Sequence, residues 1–172
     1  MMARQPINLG TRRELFVDEF LADARRTTAV LTLHQPQPRE VVLVHDAPWE
    51  GDGCDYHSIL RDGDLYRLYY LAWKTEKPEP VVAYAESRDG LRWVKPSLGL
   101  CEFAGSKDNN IILDRQTARF DNFSVSIDPR PDCPAAERYK GVGVDGADGY
   151  LWCFVSADGI RFRKGWRMTN RG

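Results

Sequence analysis

No stretch of this 172-residue chain approaches the roughly eighteen consecutive apolar residues of a membrane-spanning helix, so no helical membrane span and no membrane partner are expected. Met1 to Gly10 holds one early Arg and lacks the apolar core of a signal peptide; as written, the chain is expected in the cytoplasm. Neither charge dominates, because 24 Lys and Arg meet 25 Asp and Glu for a net charge of −1. So weak a field does not hold nucleic acid, which is not expected as a partner. The local basic groups, Arg12 with Arg13 and the tail Arg161, Arg163, Lys164, Arg167 and Arg171, read as solvated faces. Cysteine is sparse, and Cys54, Cys101, Cys133 and Cys153 form no C-x-x-C pair, which removes the usual zinc spacing and a dense disulfide framework. The three histidines, His34, His45 and His57, are too scattered for a metal motif, although folding could bring two of them together. No metal and no other cofactor is expected. Phosphate-binding glycine loops, a G-x-S-x-G elbow and H-E-x-x-H are all missing, so nucleotide, esterase and zincin chemistries lose their usual support.

What the chain does have is a repeat. Ser87-Arg88-Asp89-Gly90-Leu91-Arg92-Trp93 returns as Ser156-Ala157-Asp158-Gly159-Ile160-Arg161-Phe162, from position 87 to 156, an offset of 69. Upstream, Asp55-Tyr56-His57-Ser58-Ile59-Leu60-Arg61-Asp62 lies on Asp121-Asn122-Phe123-Ser124-Val125-Ser126-Ile127-Asp128, from 55 to 121, an offset of 66. A β-rich unit with this period is the sequence form of a propeller blade. The repeated turn has a mechanical explanation: Ser and Asp side chains bond turn backbone, Gly takes a positive φ, and the closing aromatic covers the hairpin. It resembles the Asp-box of sialidase propellers but is one residue shorter between Asp and Gly, so it predicts a structural element and no activity.

Strand signals dominate the rest. Val41 to His45, Leu65 to Trp73 and Val81 to Ala85 are β-branched or aromatic runs, and Asp62-Gly63-Asp64 reads as a hairpin turn. Tyr139 to Val144 and Tyr150 to Val155 repeat the plan. Gly105 to Asn110 reads as a crossover between units, with Ile111 to Leu113 a short edge strand. A weak helical periodicity runs from Arg13 to Ala24. The expected fold is all-β: one array of antiparallel propeller blades, about two blades of a five-bladed ring, with an N-terminal segment (1–40), a first unit (41–104) and a second (105–172).

Glycoside hydrolysis needs two carboxyl groups, one acid and one nucleophile or base. The repeat itself proposes Asp55 and Asp121, each preceding the first apolar strand of its unit. Trp49, Glu50 and Asp52 form an acidic and aromatic cluster of the composition expected at a sugar site. His57, two residues after Asp55, and Asn122, next to Asp121, join them as substrate-binding candidates. Glu86 reads as structural.

Several segments together resemble a group of bacterial proteins similar to the N-terminal five-bladed propeller of glycoside hydrolase family 32 and its relatives in family 43. They are Arg13 to Leu21, Pro48-Trp49-Glu50, Asp62 to Tyr70, Tyr84 to Ser87, Gly105 to Ile112 and Pro131 to Lys140. The resemblance implies a propeller fold and hydrolysis of a glycosidic bond in the complete protein by an Asp nucleophile or base, a transition-state-stabilising Asp and an acid Glu. Asp55 and Asp121 stand for the first two, with Asp128 of Ile127-Asp128-Pro129 in reserve. The Glu has no counterpart before Gly172, so a fragment with open blade edges, prone to self-association, is expected. The alternatives are a non-catalytic carbohydrate-binding or assembly module, in which the aromatics of Tyr66 to Trp73 stack on sugar, and an inactive remnant.

Overall fold

The computed structural model describes residues 6–18, 20–23, 25–76 and 79–168. Glu19 and Ala24 of the N-terminal segment and Arg171 of the basic tail lie outside them. The chain divides into residues 1–39 and 40–172. The described part of residues 1–39 holds turns and no helix, so the weak periodicity around Arg13 is not realised. Asp18 and Asp23 instead accept the backbone N–H two residues on, at 2.8 Å from Phe20 and 3.1 Å from Arg25, the local bonding that favours turns over helix.

The described part of residues 40–172 is all-β, with a short 3₁₀ turn at Ala135–Glu137. Two four-stranded antiparallel sheets form. The first is ordered β1 (Gly53–Asp62), β2 (Leu65–Trp73), β3 (Val81–Ser87) and β4 (Ile111–Leu113). The second is ordered β5 (Ser124–Ile127), β6 (Tyr139–Asp145), β7 (Tyr150–Ser156) and β8 (Arg163–Arg167). Each strand neighbours the next in sequence, and neither sheet closes on itself.

Four details differ from the sequence reading. Val41 to His45 joins no ladder, because the Val44 carbonyl accepts from Lys95 Nζ at 2.6 Å and the segment lies over a sheet face. Ile111 to Leu113 completes the first sheet against β3, so that sheet ends at residue 113 and not at 104. Asp55 lies inside β1, paired with Leu71, and not before it. The basic run at Arg163 is strand β8, an edge strand whose charged side chains protect its open edge.

The duplicated turn is built twice from the same bonds. Ser87 Oγ lies 3.1 Å from Asp89 Oδ1 and accepts Gly90 N–H at 2.9 Å; Ser156 and Asp158 match at 2.9 and 3.0 Å. Asp89 Oδ1 accepts the N–H groups of Leu91 and Arg92 at 2.8 and 2.7 Å, and Asp158 those of Ile160 and Arg161 at 2.9 and 2.8 Å.

Alternation along β2 sends Tyr69 and Leu71 to one face and Leu68, Tyr70 and Ala72 to the other. The first face meets Phe120, Phe123, Val125, Tyr139 and Phe154, so the main core lies between the two sheets. The second face is covered by Leu43, Trp49, Trp93, Cys101 and Phe103 from flanking loops and by Cys54 of β1. Both faces of β2 and β3 are therefore buried, which explains their nearly unbroken apolar composition. Polar contacts tie the sheets: Val125 N–H donates to Ser58 Oγ at 3.3 Å, and Tyr69 OH donates to the Gly159 carbonyl at 2.8 Å. Asp62 accepts from Arg138 and Tyr139.

Candidate functional site

The loop before β1 folds a carboxylate inward. Ala47 to Glu50 makes a turn closed by Glu50 N–H on the Ala47 carbonyl at 2.9 Å, and Glu50 Oε2 returns to accept the Ala47 N–H at 2.7 Å. The chain then enters β1 through Gly51 at φ +64, where a Cβ would stand 2.2 Å from the Trp73 carbonyl oxygen; only glycine fits.

Glu50 is 0% exposed, an uncommon place for a carboxylate unless it is paired. It is fully engaged. Oε1 accepts Tyr70 OH at 2.6 Å and faces His45 Nδ1 at 3.3 Å, while Oε2 accepts Lys95 Nζ at 2.7 Å beside the Ala47 N–H. Burial pushes its pKa up, but the bonds from Lys95, Tyr70, Ala47 and His45 outweigh that and hold it below the ordinary 4.5, so it is ionised. Asn110, 1% exposed, extends the network: its amide donates to Tyr70 OH at 2.9 Å and the Tyr84 carbonyl at 2.6 Å, and its oxygen accepts the Trp49 indole N–H at 2.7 Å.

A β-bulge completes the arrangement. Asp55 pairs with Leu71 and Ser58 with Tyr69, leaving Tyr56 and His57 opposite the single residue Tyr70. Tyr56 sits at φ 54, a left-handed conformation that is strained for an aromatic side chain. The bulge turns His57 so that its ring stacks on Tyr70, with centroids 5.7 Å apart and planes 10° apart. His57 Nε2 lies 3.0 Å from His45 Nε2. The folding of two histidines together, open in the sequence, is thus realised by His45 and His57. Burial and then the neighbouring His45 hold the His57 pKa below its ordinary value, against the pull of Asp55.

The residues singled out from the sequence fall into different roles. Asp55 and Asp121 are both exposed, one within β1 and the other in the bend before β5. Glu50 was expected to touch substrate; with no exposed surface and all its bonds internal, it is instead the anion at the centre of a buried network. Trp49 spends its indole N–H on Asn110 and packs edge-on to Phe103. Asp52 Oδ1 clamps Thr75 through its N–H at 2.7 Å and its hydroxyl at 3.1 Å, and Asn122 Oδ1 caps the Val144 N–H at 3.2 Å. Asp128, the reserve candidate, is held by Arg130 at 2.8 Å. Tyr69 and Tyr70 are 0% exposed, so the central aromatics of β2 are not a stacking platform for sugar. Cys54 is no nucleophile, since burial and the Glu50 charge push its thiol to about 11. Sequence reasoning missed Lys95, Tyr70 and Asn110; the available signals were a lone Lys in the context Trp93-Val94-Lys95-Pro96 and its return as Lys164 at the repeat offset of 69.

No protein-family model matches the chain. Uncharacterized protein Rv1502 of Mycobacterium tuberculosis H37Rv is 26% identical over 114 residues, which is 63% of this chain and 33% of that protein. Uncharacterized protein MT1551 of Mycobacterium tuberculosis CDC 1551 is similar to the same extent. The chain thus spans about a third of the length of the curated relatives it matches. No solved structure matches.

Proposed function

We propose that the chain supplies two blades of a glycosidase-like β-propeller, in which Asp55 and Asp121 take part in hydrolysis of a glycosidic bond by the complete protein. The observation that carries the reading is the placement of these two carboxylates. Both are exposed, and both precede one inter-sheet contact, the Ser58–Val125 bond that joins β1 to β5. Asp55 stands three residues before Ser58 and Asp121 four before Val125. In a propeller the first strands of successive blades line the central channel, where carboxylates from different blades can act on one bond. Two consecutive four-stranded meanders sharing a core support the blade reading. The bulge beside Asp55 supports a site there, because bulges re-aim side chains next to active sites.

The test is hydrolysis of a panel of aryl pyranosides and furanosides by the complete protein and by its Asp55→Asn and Asp121→Asn variants, with Asp64→Asn in the exposed β1–β2 turn as the control. Each site variant is expected to lose at least about 10²-fold in kcat with its melting curve intact. Wild-type rates in both site variants, or no hydrolysis of any glycoside by the unaltered complete protein, would sink the reading.

A further inference from the structure

We propose that His45 and His57 form a two-nitrogen binding site for a late first-row divalent cation, with Glu50 as the carboxylate that orients His45. The inference stands apart from the glycosidase reading and survives its failure.

Geometry carries it. The two Nε2 atoms face each other at 3.0 Å. A cation bound to both at about 2.0–2.1 Å would subtend an angle of about 91–97° between them. Imidazole donors suit Cu²⁺, Ni²⁺ and Zn²⁺, with Cu²⁺ bound most tightly of the three.

The surroundings fit the same role. With its Nδ1 turned to Glu50 at 3.3 Å, His45 presents Nε2 as the ligand atom on the side of His57. This carboxylate–histidine pairing is the outer-shell device that fixes the tautomer of metal-binding histidines. Tyr70 holds both rings, at 4.5 Å from His45 and 5.7 Å from His57, and the bulge at Tyr56 spends backbone strain to bring His57 there. Asp46, Glu50 and Asp55 outnumber Lys95 in the immediate surroundings, so the local charge favours a cation. His57 is exposed, which gives an entry path. Among the described residues no three of His, Cys, Asp and Glu converge on one point, so the remaining positions go to water or to an oxygen-donor ligand.

The experiment uses the untagged chain, stripped with chelator and titrated with Cu²⁺ and Ni²⁺ separately, following calorimetry and, for Cu²⁺, the nitrogen hyperfine pattern in electron paramagnetic resonance. One ion per chain with two equivalent imidazole nitrogens is expected, with tighter binding of Cu²⁺ than of Ni²⁺. His57→Ala, an exposed change outside the core, should abolish the two-nitrogen pattern, and His34→Ala should leave it unchanged. Glu50→Gln, in preparations whose circular dichroism matches the parent, should weaken binding about 10- to 100-fold. Retention of the signal in His57→Ala would assign the ion to the chain terminus or to His34 and overturn the proposal. So would a parent protein that takes up neither ion, its two rings then simply sharing a proton.

Discussion

Replacing Lys95 with Met should expose how much of the stability of residues 40–172 rests on the Glu50 network. Lys95 is 17% exposed at its side chain and donates to Glu50, to Asp46 and to the Val44 carbonyl, whereas Glu50 has no exposed surface at all. Methionine fills a similar volume, so the change removes the charge and its bonds with little loss of packing. Breaking a buried ion pair from one side costs about 3–5 kcal/mol, because the remaining charge stays desolvated. Lys95 is not fully enclosed and Tyr70 and Ala47 still donate, so the low end, about 3 kcal/mol, applies here. At a urea m-value of about 2 kcal/mol/M, that moves the unfolding midpoint by about 1.5 M. The deficit should also depend on pH with a definite sign. Without Lys95 the burial of Glu50 dominates, its folded pKa rises above the ordinary 4.5, and protonation then relieves the buried charge. The variant should therefore lie furthest below the parent near pH 7 and approach it as the pH falls toward 4. Adding Glu50→Gln to the variant should recover part of the loss at pH 7. A midpoint shift below about 0.5 M at pH 7, the behaviour of an exposed pair, would refute the argument that Glu50 is a buried anion held by its partners.

Acid should unfold residues 40–172 through a small set of carboxylates. The folded pKa of Glu50 lies below 4.5 and that of Asp62 falls from 3.8 to about 2, mainly through its bonds from Arg138. Their contributions are complete above those ordinary values and are lost as the pH falls through the depressed ones, so the melting temperature should drop steeply between pH 4.5 and pH 2; a shallower decline should begin as the pH falls below about 6.5, where the unfolded chain protonates His57 before the folded chain does. The twin turns should respond unequally to Asp→Ala. Each Asp satisfies two backbone N–H groups and should cost about 1–2 kcal/mol by chemical denaturation. Asp158→Ala should be the worse of the two, since its Gly159 packs against the Tyr139 ring and receives the Tyr69 hydroxyl bond between the sheets, while Gly90 has no such neighbour. Equal losses would show that the second turn does not help to join the sheets.

Central strands were legible in the sequence because they are buried on one or both faces. Leu65 to Trp73, Val81 to Ala85, Tyr139 to Val144 and Tyr150 to Val155 are β-rich runs bounded by turn residues, and each became the middle of a sheet. The edges were not legible in the same way. β8, Arg163–Arg167, carries Arg163, Lys164 and Arg167 because an exposed edge needs charge, and a run with three basic residues in five reads as a solvated loop. Val41 to His45 erred in the opposite direction: Leu43 is apolar because it covers Tyr70 and its neighbours, not because it pairs. The candidate site was legible as a neighbourhood and not as a set of roles. Trp49, Glu50, Asp52 and His57 all surround one loop and one bulge, yet the composition of a sugar site is also that of a buried polar network. Only contacts among positions 45, 50, 57, 70, 95 and 110 distinguish the two, and those depend on a bulge that no local pattern announces.

The place where the repeat breaks is the place where the network is built. At the offset of 69, Glu86 corresponds to Val155 and Val94 to Arg163, and both pairs are bridged: Glu86 with Val94, Val155 with Arg163. In the second sheet the chain continues from that bridge as β8. In the first it leaves after a single bridge, and β4 takes over the edge only at Ile111. The excursion between them delivers Lys95 onto Glu50, Phe103 against Trp49 and Asn110 beneath Tyr70. A plain repeat of β8 after Val94 would have closed the edge with fewer residues and still placed a lysine on a buried carboxylate, as Lys164, the counterpart of Lys95 at the same offset, lies 2.7 Å from Asp145. Natural chains depart from local regularity chiefly where function or strain requires it. The added loop therefore has its explanation in what the second sheet lacks: Asn110 beneath Tyr70 and on the Trp49 indole, and Phe103 against Trp49, which hold the Tyr70 ring that His45 and His57 share.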